Sequence, residues 1–283
     1  MKVLLITPGK GPWPNDGWGA CENICADFGW ALKQAGVDVK ILHSTTVGKD
    51  LESSIQVWKP DIVHNEYDDH TIHLLYIADK YPSIKFLVTT HYAFLSQPTK
   101  LVQDGYMRIF LETCHATKLS NIMLMPLSEA IATTYKTLGN VDPSKLWVFP
   151  NGTRTDLIQC AEKPEFSDRA ICVGKIETRK SQRRLQSCRA IDFVGPIHDT
   201  TFSKTDTYKG HWTRAQLYSN LTRYACVVLM SCAEAHPLVI GEALAAGCSI
   251  LCSEVAAANL PTVPWIRVAP MSLLDDPAAL STA

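Results

Sequence analysis

Two glutamates with seven residues between them, Glu234 and Glu242, bracket the segment richest in potential chemistry. Pro237 suits the first helical position and Gly247 the position just past a helix end, so a helix is expected over 237–246. Glu234 then falls in the loop before that helix and Glu242 in its second turn. Helical side chains lean toward the N-terminus, at about 1.5 Å of rise per residue, so both carboxylates can face one ligand. Such a pair accepts hydrogen bonds from hydroxyls, while the free N–H groups near His236 to Leu238 suit a phosphate. Taken alone, Glu242 reads equally well as a solvated helix residue.

A second set is cationic. Gly174, Lys175 and Lys180 follow an apolar run, with one lysine leaving the strand and the other entering a helix. As point charges the two can close on a single diphosphate. Arg183, Arg184 and Arg189 continue the basic run as a solvated helix face. A glycine-rich loop, including Gly9, Gly11, Gly17 and Gly19, leads into a helix beginning near Trp18 or Gly19, where backbone N–H groups could approach a phosphate or sugar. Pro14 spoils a G-x-G-x-x-G spacing, so a nicotinamide or flavin cofactor is not indicated. His91 follows a strand and by itself reads as a structural histidine. The run Glu66, Tyr67, Asp68, Asp69, His70 reads as a solvated helix start rather than a metal cluster.

These residues need a frame. Short apolar runs at 2–7, 37–43, 61–64, 84–90, 121–125 and 145–149 are expected strands, and the spacing of Ala20, Ile24, Phe28, Ala31, Leu32 and Ala35 predicts a helix over 20–35. Strands this apolar suit a parallel sheet buried on both faces, with helices as crossovers. Residues 1–150 are thus expected to form one doubly wound α/β domain. A polar, turn-rich stretch through residues 150–168 marks a boundary. Beyond it, strands at 170–174, 191–195, 226–230, 248–252 and 265–269 and helices at 180–189, 212–224 and 237–246 make a second, smaller α/β unit, residues 151–283. Ligands in this class bind at the carboxyl ends of strands, so a cleft between the two domains is expected.

Composition narrows the function classes. The chain has 283 residues, 46% apolar and 19% charged, with a net charge of -1. That balance argues against a protein held to nucleic acid or anionic membrane by its overall field. No run has transmembrane length, and the four apolar residues after Lys2 are too few for a signal peptide. The ten cysteines contain no C-x-x-C pair and read as small buried hydrophobes in a reducing cytosol.

Together these segments resemble a known family. Glu234 and Glu242 match the E-x7-E motif of retaining glycosyltransferases with two Rossmann-like domains, the GT-B architecture, and most closely the large family 4 type that includes sucrose, trehalose and lipopolysaccharide-type transferases. The loop from Gly17 to Glu22, His91 after its strand, and Gly174 with Lys175 and Lys180 agree in order, and Asn151-Gly152 matches the interdomain signature. Lys175 stands where the family commonly has Arg, Ala235-His236-Pro237 replaces a glycine-rich loop, and the second domain is expected to be short at its C-terminus.

The resemblance implies a cytoplasmic, metal-independent, retaining transferase that moves a sugar from a nucleotide-sugar donor to a carbohydrate, lipid-linked or other glycosylated acceptor, with no further cofactor. Lys175, Lys180, Glu234 and His91 are the implied catalytic residues. Gly17, Gly19, Gly174, His236, Pro237, Leu238 and Glu242 are the implied donor-binding ones, with Glu234 on sugar hydroxyls, Glu242 on the ribose, and His91 beside the anomeric centre. A nucleotide-sugar 2-epimerase shares the architecture, and a catalytically silent nucleotide-sugar-binding module is the alternative outside enzymes.

Overall fold

The computed structural model describes residues 1–283 except 12, 14–18, 259, 277, 278 and 280–283. In chain order the first elements are β1 (Lys2–Thr7), α1 (Ala20–Gln34), β2 (Asp38–His43), α2 (Val47–Trp58), β3 (Ile62–Asn65), α3 (Thr71–Lys80), β4 (Lys85–Val88), α4 (Pro98–Gln103), α5 (Met107–Ala116), β5 (Ile122–Leu124) and α6 (Glu129–Thr137). There follow β6 (Phe166–Val173), α7 (Gln182–Leu185), β7 (Ile191–Val194), α8 (Arg214–Leu221), β8 (Tyr224–Leu229), α9 (Leu238–Ala245), β9 (Ser249–Ser253), α10 (Glu254–Ala257) and β10 (Ile266–Ala269). The chain divides into two compact units, with the change at Asn151/Gly152. No described helix is long and apolar enough to cross a membrane.

Each unit is built on one five-stranded parallel sheet, ordered β2-β1-β3-β4-β5 in the first and β10-β9-β8-β6-β7 in the second. Read from its own first strand, the second sheet repeats the order of the first. Continuous apolar runs are what a parallel sheet covered on both faces requires. Val3, Leu4, Leu5 and Ile6 are accordingly all buried. Val3 and Leu5 pack beneath Phe28 and Leu32 of α1. In the second unit the period of two is equally plain. Ile171, Val173, Val227 and Leu229 share one core with Tyr218 of α8 and Ile240 of α9. Cys172, Val228 and Met230 share the other with Leu185 of α7 and Phe202.

Three expected elements differ. Residues 145–149 run beside β5, with Trp147 N–H donating to the Leu124 carbonyl and Phe149 N–H to that of Pro126, but only one isolated bridge forms. Pro126 has no N–H to continue the ladder. The helix expected over 180–189 is a 3-10 turn, Thr178–Lys180, followed by the four-residue α7. Ser181 between them has φ 58°, in the left-handed region, which interrupts a helix. Pro237 is the N-cap of α9, with φ -73° and ψ 115°, and not its first helical residue.

Candidate functional site

In a doubly wound sheet, ligands bind beyond the carboxyl ends of the strands where the strand order reverses. In the second unit that point lies between β6 and β8. The loop after β6 carries Gly174 to Lys180, and the loop after β8 carries Ser231 to Pro237. The two loops are joined by charge. Glu234 Oε1 accepts from Lys180 Nζ at 2.7 Å and from Ser231 Oγ at 2.8 Å, and lies 3.0 Å from Arg179 Nη1. Arg179 also donates to Glu177 Oε1 at 2.6 Å and to the Ala233 carbonyl, while its own carbonyl accepts from Cys232 N–H at 2.9 Å.

Glu234 is 7% exposed. Burial alone would raise its carboxyl, but Lys180 and Arg179 outweigh burial and hold it below the usual carboxylate range. Gly174 makes the closure possible. Its φ is +145°, and a Cβ there would lie 3.3 Å from Lys180 Cδ and 3.4 Å from Cε, so the lysine stem occupies the space a side chain would take. Gly174→Ala is therefore expected to cost about 1–2 kcal/mol of backbone strain and to displace Lys180. A lowered urea midpoint checks the first effect.

The structure thus brings together Gly174, Lys180 and Glu234, whereas the Lys175 side chain is exposed. Glu242 is half-buried, and its Oε1 accepts from the Tyr218 hydroxyl at 3.2 Å, which itself accepts from Arg214 Nε at 2.7 Å. His236 and Leu238 are half-buried and Pro237 is buried at the start of α9, whose N-terminus no side chain caps. Its first-turn N–H groups point out of the helix end, where the dipole favours an anion.

In the first unit the strand order reverses between β1 and β3. Gly19 is the N-cap of α1, whereas Gly17 lies outside the described residues. His91 lies after β4 and Glu66 after β3, and His91 Nε2 is 2.9 Å from Glu66 Oε2. The other Glu66 oxygen is 3.3 Å from His64 Nε2, which is also 2.8 Å from Thr89 Oγ1. The expected solvated helix start at 66–70 is corrected here, because Glu66, Asp68 and His70 are 3%, 6% and 8% exposed. Burial would raise Glu66, but His64 and His91 outweigh it and hold the carboxyl low. Burial lowers His64, and Glu66 opposes this only in part. For Asp68 burial outweighs its own backbone N–H and the charges of His91 and Lys10, and the carboxyl is pushed up to about 7. Asp68 Oδ2, His70 Nε2, Thr71 Oγ1 and Tyr106 OH are buried with no hydrogen-bond partner. Groups of this kind ordinarily meet a partner, protein or other.

Sequence reasoning missed Arg179, Ser231, Tyr218 and His64 as partners of the site, and it placed Glu66 in a solvated helix start. Arg179 alone carried a signal, its place beside Lys180. Among the described residues no group of three or more His, Cys, Asp or Glu side chains could hold a metal ion.

No protein-family model matches the sequence, and no curated protein matches it. Solved structures do. HepE from Anabaena, in complex with UDP and glucose, is 14% identical over 100% of this chain and 92% of its own, with a TM-score of 0.65. Sucrose-phosphate synthase from Thermosynechococcus elongatus is 14% identical over 99% of this chain and 91% of its own, at 0.75. The lipopolysaccharide outer core galactosyltransferase WaaB is 13% identical over 98% and 88%, at 0.59. The chain has the GT-B fold, two Rossmann-like α/β domains in tandem.

Proposed function

We propose that the chain is a retaining glycosyltransferase that takes a sugar from a nucleotide-sugar donor without a metal ion or a further cofactor, in the cytoplasm. The observation that carries this reading is the closure of Lys180 and Arg179 on Glu234 at the carboxyl ends of β6 and β8, in the loop before α9. The likeness to structures that hold UDP and glucose supports it.

In this reading the growing charge is that of the departing diphosphate. Lys180 and the first-turn N–H groups of α9 stabilise it as charges and dipoles held in place before reaction, and the exposed Lys175 swings to join them. Glu234 accepts hydrogen bonds from donor-sugar hydroxyls and keeps Lys180 in place. Glu242 faces the ribose, positioned by Tyr218. In the first unit, His91 hydrogen-bonds a substrate hydroxyl.

The test is calorimetric titration with UDP and UDP-glucose, repeated in EDTA. Binding is expected, and it should survive chelation because the lysines and the helix end supply the positive field. Loss of binding in EDTA with recovery on adding magnesium or manganese defeats metal independence. No binding of any nucleotide sugar in a thermal-shift screen defeats the whole reading, since a ligand that binds only the native state raises its melting temperature.

A further inference from the structure

The buried carboxylate of Glu66 sits between two imidazoles, and its bonding fixes more than the fold requires. Both oxygens face ring nitrogens: Oε2 meets His91 Nε2 at 2.9 Å, and Oε1 lies 3.3 Å from His64 Nε2. An ionised carboxylate only accepts hydrogen bonds, so the His91 nitrogen that meets it at hydrogen-bond distance must carry the hydrogen. Thr89 completes the arrangement, with Oγ1 placed 2.8 Å from His64 Nε2. His64 Nδ1 is left buried and unpartnered. His64 and Glu66 are almost wholly buried, whereas the His91 side chain keeps 12% of its exposure. Of the three, the His91 ring is therefore the one able to meet a ligand.

We propose that Glu66 is a positioning residue that holds His91 as the Nε2–H tautomer, so that His91 presents Nδ1 as a hydrogen-bond acceptor for a substrate hydroxyl. His64 and Thr89 brace the carboxylate from behind. The carboxylate touches no substrate itself, and a buried partner of this kind sets which nitrogen of a histidine does the work. The orientation matters because the opposite tautomer would offer an N–H where a hydroxyl hydrogen must be received. The role in turnover rests on the transferase reading, whereas the tautomer itself does not.

The experiment has two arms. In protein labelled with 15N-histidine, long-range imidazole correlations, assigned by the signals lost in His91→Gln, are expected to show the Nε2–H form of His91. In Glu66→Gln one of the two acceptor oxygens becomes an NH2 donor and the negative charge is lost, so the Nε2–H form of His91 loses its preference and the pattern should shift toward the Nδ1–H form. The second arm follows UDP release from UDP-glucose. In Glu66→Gln, kcat should fall on the order of tenfold to a hundredfold with KM within about twofold, because orientation and not donor affinity is lost. An Nδ1–H tautomer in the unmodified protein overturns the proposal, as do an unchanged tautomer and kcat in a folded Glu66→Gln protein. If the unmodified protein does not turn over UDP-glucose, the transferase reading fails for that donor, and the tautomer arm still decides what Glu66 does.

Discussion

Glu234→Ala is expected to destabilise the second unit by about 3 kcal/mol, since removing one partner of a buried ion pair leaves the other charge uncompensated. Here two cations are left, Lys180 and Arg179, with side chains 12% and 21% exposed. The loss stays at the low end of the usual range because Arg179 keeps Glu177 and the Ala233 carbonyl. The same carboxylate gives a pH signature. Its folded-state pKa lies below the ordinary value of 4.5, so the unfolded state binds the proton more readily. Its contribution to stability is complete above about 4.5 and is lost as pH falls through the lower folded value. Glu234→Gln removes the charge while keeping shape, and its acid unfolding should be correspondingly shallower than that of the unmodified protein. Urea unfolding at neutral pH and at steps down through the carboxylate range measures both effects. The chain divides into two compact units, and a chain of two domains need not unfold in one transition, so the transition scored must be that of the second. Equal midpoints for Glu234→Ala and the unmodified protein would show that the ion pair contributes nothing.

The frame of this molecule is legible in its sequence because parallel sheets leave a plain trace. Val3 to Ile6 had to be buried on both faces, and the three-and-four spacing from Ala20 onward could only be amphipathic helix; both appear where expected. What failed was decided by single residues acting on tertiary context. Ser181 takes a left-handed conformation that its type does not announce, and the buried Gln182 ties the loop to Lys175 O at 2.9 Å and Glu177 N at 3.2 Å, so the helix expected from residue 180 onward is preceded by a turn that holds Lys180. That turn is what swings Lys180 over Gly174 toward Glu234. The pairing of Lys180 with Glu234 spans 54 positions and could not be read from local spacing. Glu66 was obscured for the same reason. Charged residues crowded at a helix start look solvated, and only the proximity of β3 to β4 shows that its carboxylate is enclosed by histidines.

The ion pair also gives Lys180 and Glu234 opposite expected effects on nucleotide binding. Lys180 Nζ lies on Glu234 Oε1, so in the proposed reading a diphosphate shares that ammonium with a buried carboxylate. Lys180→Ala removes a charge-assisted contact of about 1.5–3 kcal/mol, and UDP should bind roughly tenfold to a hundredfold more weakly. Lys175→Ala should act in the same direction, since that side chain is exposed and can swing to the ligand. Glu234→Gln removes the competing charge and leaves the ammonium, so UDP affinity should hold or rise, while sugar transfer should fall if the proposed hydroxyl contacts of Glu234 position the anomeric carbon, since an amide offers them one acceptor in place of two. Calorimetry with UDP and turnover of UDP-glucose, measured on the three variants side by side, separate these outcomes. Unchanged UDP affinity in both lysine variants would return the basic pair to a structural role. A Glu234→Gln protein that lost UDP affinity as Lys180→Ala does would mean that the carboxylate serves the nucleotide by holding Lys180 in place, with no separate part at the sugar.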